Sequence, residues 1–89
     1  MTNQVNILTI KNSLAKRVKS RRKEGKISQA VLAVKSGVSL GSIKRFESTG
    51  EISLSALLRI SIVLEYENDF EQLFARKNYQ SLDEIINEK

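Results

Sequence analysis

Ile27-Ser28-Gln29-Ala30-Val31-Leu32-Ala33-Val34-Lys35-Ser36-Gly37-Val38-Ser39-Leu40-Gly41-Ser42-Ile43-Lys44-Arg45-Phe46-Glu47 is the stretch whose reading decides the fold. Ser28 is placed to cap a short helix over Gln29 to Lys35, and Ser39 to cap another that runs to about Ser48. A serine hydroxyl there accepts an amide hydrogen that the first turn of a helix leaves unpaired. Ser36-Gly37 stops the first of these helices, since glycine takes a positive φ at little steric cost. Ala30, Ala33 and Val34 are the candidate buried residues of the first helix, with Ala33 small where the two helices cross; Val38, Ile43 and Phe46 are the inward anchors of the turn and the second helix. Leu40, Gly41, Lys44 and Arg45 are left facing outward. Two capped helices of about two turns joined by a short glycine turn make a helix-turn-helix unit.

Outward from this unit, the pattern predicts further helices on both sides. Leu14 and Val18, with Ala15 beside them, give one from about Ile10 to Glu24, with Gly25 as its left-handed cap and its other faces basic. Thr49-Gly50 ends the helix begun at Ser39. Ser53 caps the next, where Leu54, Leu57, Leu58, Ile60, Ser61 and Leu64 predict the central core element, closing near Glu65. Phe70, Leu73 and Phe74 suggest a short helix from Asp69, and Ser81 a last turn carrying Leu82, Ile85 and Ile86. The first twelve residues, with Val5, Ile7 and Thr9 alternating, read as a strand or an extended arm. The expectation is an all-α, compact bundle of about five short helices: one domain over residues 1–89, its core at about 10–65, with an N-terminal arm and a C-terminal association segment.

Composition agrees with this and narrows the chemistry. At 89 residues one core is the natural reading. The chain is 40% hydrophobic without proline and with three Phe and two Tyr, which suits a core of Leu, Ile, Val and Ala. It has no cysteine and no histidine, so thiolate or imidazole metal sites, disulfides and Ser/His or Cys/His catalysis are excluded. No cofactor or metal is expected. No catalytic cluster stands out either, because the serines and carboxylates read as caps and surface charges; an enzyme is not expected. No run nears the ~20 apolar residues of a membrane span and the start lacks a signal-peptide pattern, so a cytoplasmic protein with no membrane partner is expected. Charge is divided: residues 1–50 hold eleven Lys or Arg against two acidic residues, net +9, whereas residues 51–89 hold four against eight, net −4. The basic half fits a phosphate-binding surface, or a solvated helix face.

Taken together, Arg17-Val18-Lys19-Ser20-Arg21-Arg22, Ser28-Gln29, Leu32-Ala33, Gly37-Val38-Ser39, Ile43, Phe46-Glu47, Gly50 and Leu57-Leu58-Arg59-Ile60 resemble the lambda-repressor-like (Xre) family of DNA-binding proteins over residues 14–64. The resemblance implies that residues 39–48 enter the major groove of double-stranded DNA while the preceding helix lies across the backbone. Ser28, Gln29, Ser39, Leu40, Gly41, Ser42, Lys44, Arg45 and Ser48 would form the interface. Gln29 would bond a phosphate, helped by its helix dipole, or be a plain first-turn residue; Ser39 would cap its helix or touch DNA. Arg45 would read a base edge, with guanine O6 and N7 matching its fork, and Lys44 a phosphate. The alternative for both is a solvated surface charge. Leu40 and Gly41 depart from the polar readers common in the family, which shifts specificity toward Arg45 and DNA shape. The loop Ser48-Thr49-Gly50 would add backbone and hydroxyl contacts to phosphate. Arg22 and Glu47 match a structural salt bridge of the family; the competing role for Arg22 is another phosphate contact. The acidic residues from Glu65 and the tail from Ser81 look like those of compact regulators from toxin and antitoxin pairs, including HipB-like antitoxins; the alternative is a generic solvated tail. The sequence thus supports two readings: a dimeric repressor, or an antitoxin-type module that neutralises a toxin partner and autoregulates its operon.

Overall fold

The computed structural model describes residues 3–77, with side chains from residue 6. Five helices occur in order: α1 (Asn3–Glu24), α2 (Gln29–Ser36), α3 (Leu40–Thr49), α4 (Leu54–Leu64) and α5 (Asn68–Gln72). There is no strand among the described residues, and the all-α expectation holds. α1 packs against α3, and α2 against both α3 and α4. No helix among the described residues is long and apolar enough to cross a membrane.

The strand or extended arm expected over the first twelve residues is overturned. From Asn3 onward they are the first turns of α1. No proline or glycine separates them from the helix, and extending a nucleated helix costs far less than starting one. Ile7, Ile10 and Leu14 are themselves at helical spacing; the three-residue alternation was too short to outweigh that. Gly25 is also not the left-handed cap. Lys26 takes that conformation at φ 57°, and the amide of Ile27 reaches back to the carbonyl of Arg22 at 3.2 Å, closing the helix one residue later than expected.

Two contiguous groups of side chains form the core. Leu32, Val38, Ile43 and Ile60 join α2, the turn, α3 and α4. Ala15, Phe46 and Leu57 join α1, α3 and α4. Burial of each large member contributes roughly 1.5–3 kcal/mol. Ile43 and Phe46 are the inward anchors of α3. In α2 the buried candidates need correction: Ala30 is exposed, Ala33 half-buried and Val34 84% exposed, whereas Leu32 is fully buried. Residues 30 and 34 lie on one helix face and 32 on the other, and the large side chain decides which face turns inward. α4 supplies Leu57, Ile60 and Ser61 to the interior, with the Ser61 hydroxyl donating to the Leu57 carbonyl at 2.8 Å; Leu54 remains exposed. α5 stops before Leu73 and Phe74. The last turn expected from Ser81 lies outside the described residues.

Candidate nucleic-acid interface

Serine and glycine caps fix the angle between α2 and α3. Ser28 Oγ accepts from the Val31 amide at 3.0 Å. Gly37, at φ 74°, closes α2 with its amide on the Ala33 carbonyl. Ser36 Oγ accepts from the Val38 amide, which holds the turn. Ser39 Oγ accepts from the Ser42 amide at 3.1 Å while its hydroxyl donates to Ser42 Oγ at 2.8 Å. The hydroxyls of Ser28 and Ser39 are thus engaged as caps.

With Ile43 and Phe46 anchored inside, the opposite side of α3 faces solvent. Leu40, Gly41, Ser42, Lys44, Arg45 and Ser48 are all exposed. Positions 40, 44 and 48, and 41, 45 and 48, obey helical spacing, so these side chains share one continuous surface. A Cβ added at Gly41 would meet nothing within 4 Å. No packing demand explains that glycine; it leaves the helix backbone open to close approach.

Behind this surface a buried ionic network ties three elements together. The Arg22 Nε donates to Glu47 at 2.7 Å and its Nη2 to the other carboxylate oxygen at 2.9 Å, while Nη1 donates to the Ile27 carbonyl. Gln29 Nε2 donates to the same carboxylate at 2.9 Å. Arg22 is only 7% exposed, so its guanidinium is turned inward. Burial alone would push the Glu47 carboxyl up; the hydrogen bonds from Arg22 and Gln29, with the charges of Arg22 and Lys19, outweigh it and hold the group below its ordinary value. Gln29 therefore sits at the start of α2 with one amide hydrogen already committed.

Two residues with no role in the sequence reading reinforce the same wall. Lys11 Nζ pairs with Glu51 at 2.7 Å, joining α1 to the segment after α3. The hydrogen bond from Lys11 keeps the Glu51 carboxyl below its usual range. A signal existed: Lys11, Ala15, Val18 and Arg22 recur at spacings of four, three and four, which defines the face of α1 turned to α3. Between them Gly50, at φ 81°, is pressed so closely on α1 that an added Cβ would lie 2.8 Å from Lys11 Cβ and 3.0 Å from its carbonyl carbon. The donors of this loop are spoken for. Ser48 and Thr49 hydroxyls both donate to the Arg45 carbonyl, and the Gly50 amide bonds the Phe46 carbonyl.

Two capped helices crossing at a glycine turn, one buried by its apolar face and bearing exposed cations on the other, define a helix-turn-helix module. A family model described as helix-turn-helix matches residues 18–67. The chain belongs to that family, the lambda-repressor-like (Xre) helix-turn-helix proteins, and is a DNA-binding regulator of that type. Neither a curated protein nor a solved structure matches the chain.

Proposed function

We propose that the protein is a sequence-specific repressor that binds DNA as a homodimer, laying the exposed side of α3 in the major groove. The single observation that carries this reading is the row of Leu40, Gly41, Lys44 and Arg45, exposed opposite the buried Ile43 and Phe46. Arg45 reads a guanine edge, Lys44 neutralises a phosphate, and Leu40 packs on a thymine methyl. Gly41 lets the helix backbone come close. Ser28, Ser39 and Ser42 lie at the starts of α2 and α3, where the free amides face phosphate. Gln29 uses its remaining amide hydrogen there, and Ser48 turns its hydroxyl from the Arg45 carbonyl to do so. One α3 reads half a site; two set ~34 to 36 Å apart select an inverted repeat. Exposed apolar side chains on α1 and beyond α5, Ile7, Leu8, Leu73 and Phe74, supply surface for the second copy.

The test is selection of bound duplexes from a random pool, followed by titration at several salt concentrations. Affinity should fall with a log–log slope of roughly −0.9 per phosphate neutralised. Arg45→Ala should cost about 1 to 3 kcal/mol at one base position and relax preference there. A flat salt response, or an unchanged selected motif in Arg45→Ala, would falsify the assignment of α3. The second reading is the antitoxin-type module. It is favoured by Phe74, 95% exposed within an acidic half of the chain, a surface that a toxin would cover; binding of a stoichiometric partner that leaves Arg45→Ala unaffected would support it.

A further inference from the structure

An apolar groove of about 490 Å³ runs between α1, α4 and α5, floored by Leu14, Leu57, Leu64, Phe70 and Leu73. Arg17 and Arg21 also line it. Arg21 pairs through Nη2 with Glu24 at 2.5 Å, but its Nε is buried without a hydrogen-bond partner among the described residues. A buried N–H left unpaired is costly, because it has given up water and gained no acceptor in return. The groove, which Asp69 also lines, therefore asks for an occupant with an apolar face and an acceptor for that N–H.

We propose that residues 81–86 of the same chain fill this groove. Leu82, Ile85 and Ile86 recur at helical spacing behind Ser81, with Asp83 and Glu84 between them. One turn of helix presents those three side chains to the floor and brings a carboxylate to Arg21 Nε. Reach is sufficient: Leu73 already lines the groove, and the seven residues 74–80 span up to roughly 23 Å when extended. So short a tether sets an effective concentration in the millimolar range. The chain's own segment thereby outcompetes a second copy at ordinary protein concentrations. The association surface is then what the tail leaves bare, chiefly Ile7, Leu8 and Phe74.

The chain has no cysteine, so a disulfide can report the docking in the full-length protein. Ile10 lines the groove and is 65% exposed, which makes Ile10→Cys tolerable to the fold. Paired with Ile85→Cys in a glutathione buffer at low micromolar protein, it should close within one chain with an effective molarity at least tenfold above that of Val34→Cys with Ile85→Cys. Val34 is exposed on α2 outside the groove. Adding Asp83→Asn and Glu84→Gln should lower the first value severalfold. Equal effective molarities for the two pairs, a disulfide formed mainly between chains, or indifference to the loss of both carboxylates would each overturn the proposal. DNA binding by the same variants is a separate measurement, so failure here leaves the assignment of α3 standing.

Discussion

The two sides of α1 are built in different ways. Toward α3, every connection is fixed: a bidentate ion pair, a second pair at Lys11 and Glu51, and serine and glycine caps on both helices of the motif. Toward α5, the chain turns through left-handed Glu65 and Phe74, α5 has no side-chain cap, and its one apolar residue, Phe70, is only half-buried. The lesson is one of division of labour. The α3 side, which carries the proposed duplex-reading surface, is held by short polar contacts and close backbone approach. The other side presents adaptable apolar area.

The sharpest test of that difference compares two glycines on the rigid side. Gly50→Ala must place a Cβ within 3 Å of the Lys11 backbone in a left-handed conformation. Strain and overpacking together should cost about 3 to 5 kcal/mol. Gly37→Ala shares the positive φ but meets only Arg59 Nη1 at 4.0 Å, so about 1–2 kcal/mol is expected. Urea denaturation of the two variants measures the gap; equal losses would show that α1 gives way at Gly50.

Next in size is Arg22→Ala, which strands the Glu47 carboxylate. With side-chain exposures of 9% and 4% for the pair, a loss of about 3 kcal/mol is expected, and Glu47→Gln in the same chain should recover part of it. The pH dependence has a definite sign. Glu47 titrates below its ordinary value near 4.5 in the folded protein, so its contribution is present above that value and is lost as pH falls through the folded pKa. The stability gap between wild type and Arg22→Ala should therefore be widest near neutrality and close in acid. A gap that stayed constant down to acid unfolding would remove the carboxylate from the account.

The smallest effect belongs to the adaptable side. Phe74→Ser should change folding stability by no more than about 0.5 kcal/mol, since the ring is almost wholly in solvent. Sedimentation should nonetheless show weakened self-association. A large drop in the melting midpoint would mean that the ring is covered in the native protein.

Much of the rigid side was legible in the chain. Ser28, Ser39 and Ser53 each sit where a helix must start, and Gly37 and Gly50 where one must end, because capping is decided within four residues. The Arg22 and Glu47 pairing came through the family resemblance, since nothing local links residues 25 apart. Contacts of that range were otherwise missed: Lys11 with Glu51, and Gly50 against α1. The inward face of α2 was misjudged because Ala30 and Val34 offered an equally regular stripe to that of Leu32, and only the neighbouring helices choose between them. The start of α1 was lost for a similar reason, a weak alternation being read over a continuous helical run. The groove on the far side is a product of three elements meeting, with no sequence signature of its own.

The clasp between α1 and the α3 end also bears on how the chain finds its fold. Bringing Arg22 to Glu47 closes a loop of 25 residues, an entropic barrier of about 3 kcal/mol by the logarithmic law for flexible chains. Lys11 and Glu51 are 40 apart, yet once the inner link has formed the outer one spans only helix α1 on one side and the Gly50 turn on the other. The two links therefore close in sequence, like a zip drawn along α1 from Arg22 toward Lys11. On this route the α2–α3 unit, made of contacts near in sequence, takes shape before α1 is drawn across it.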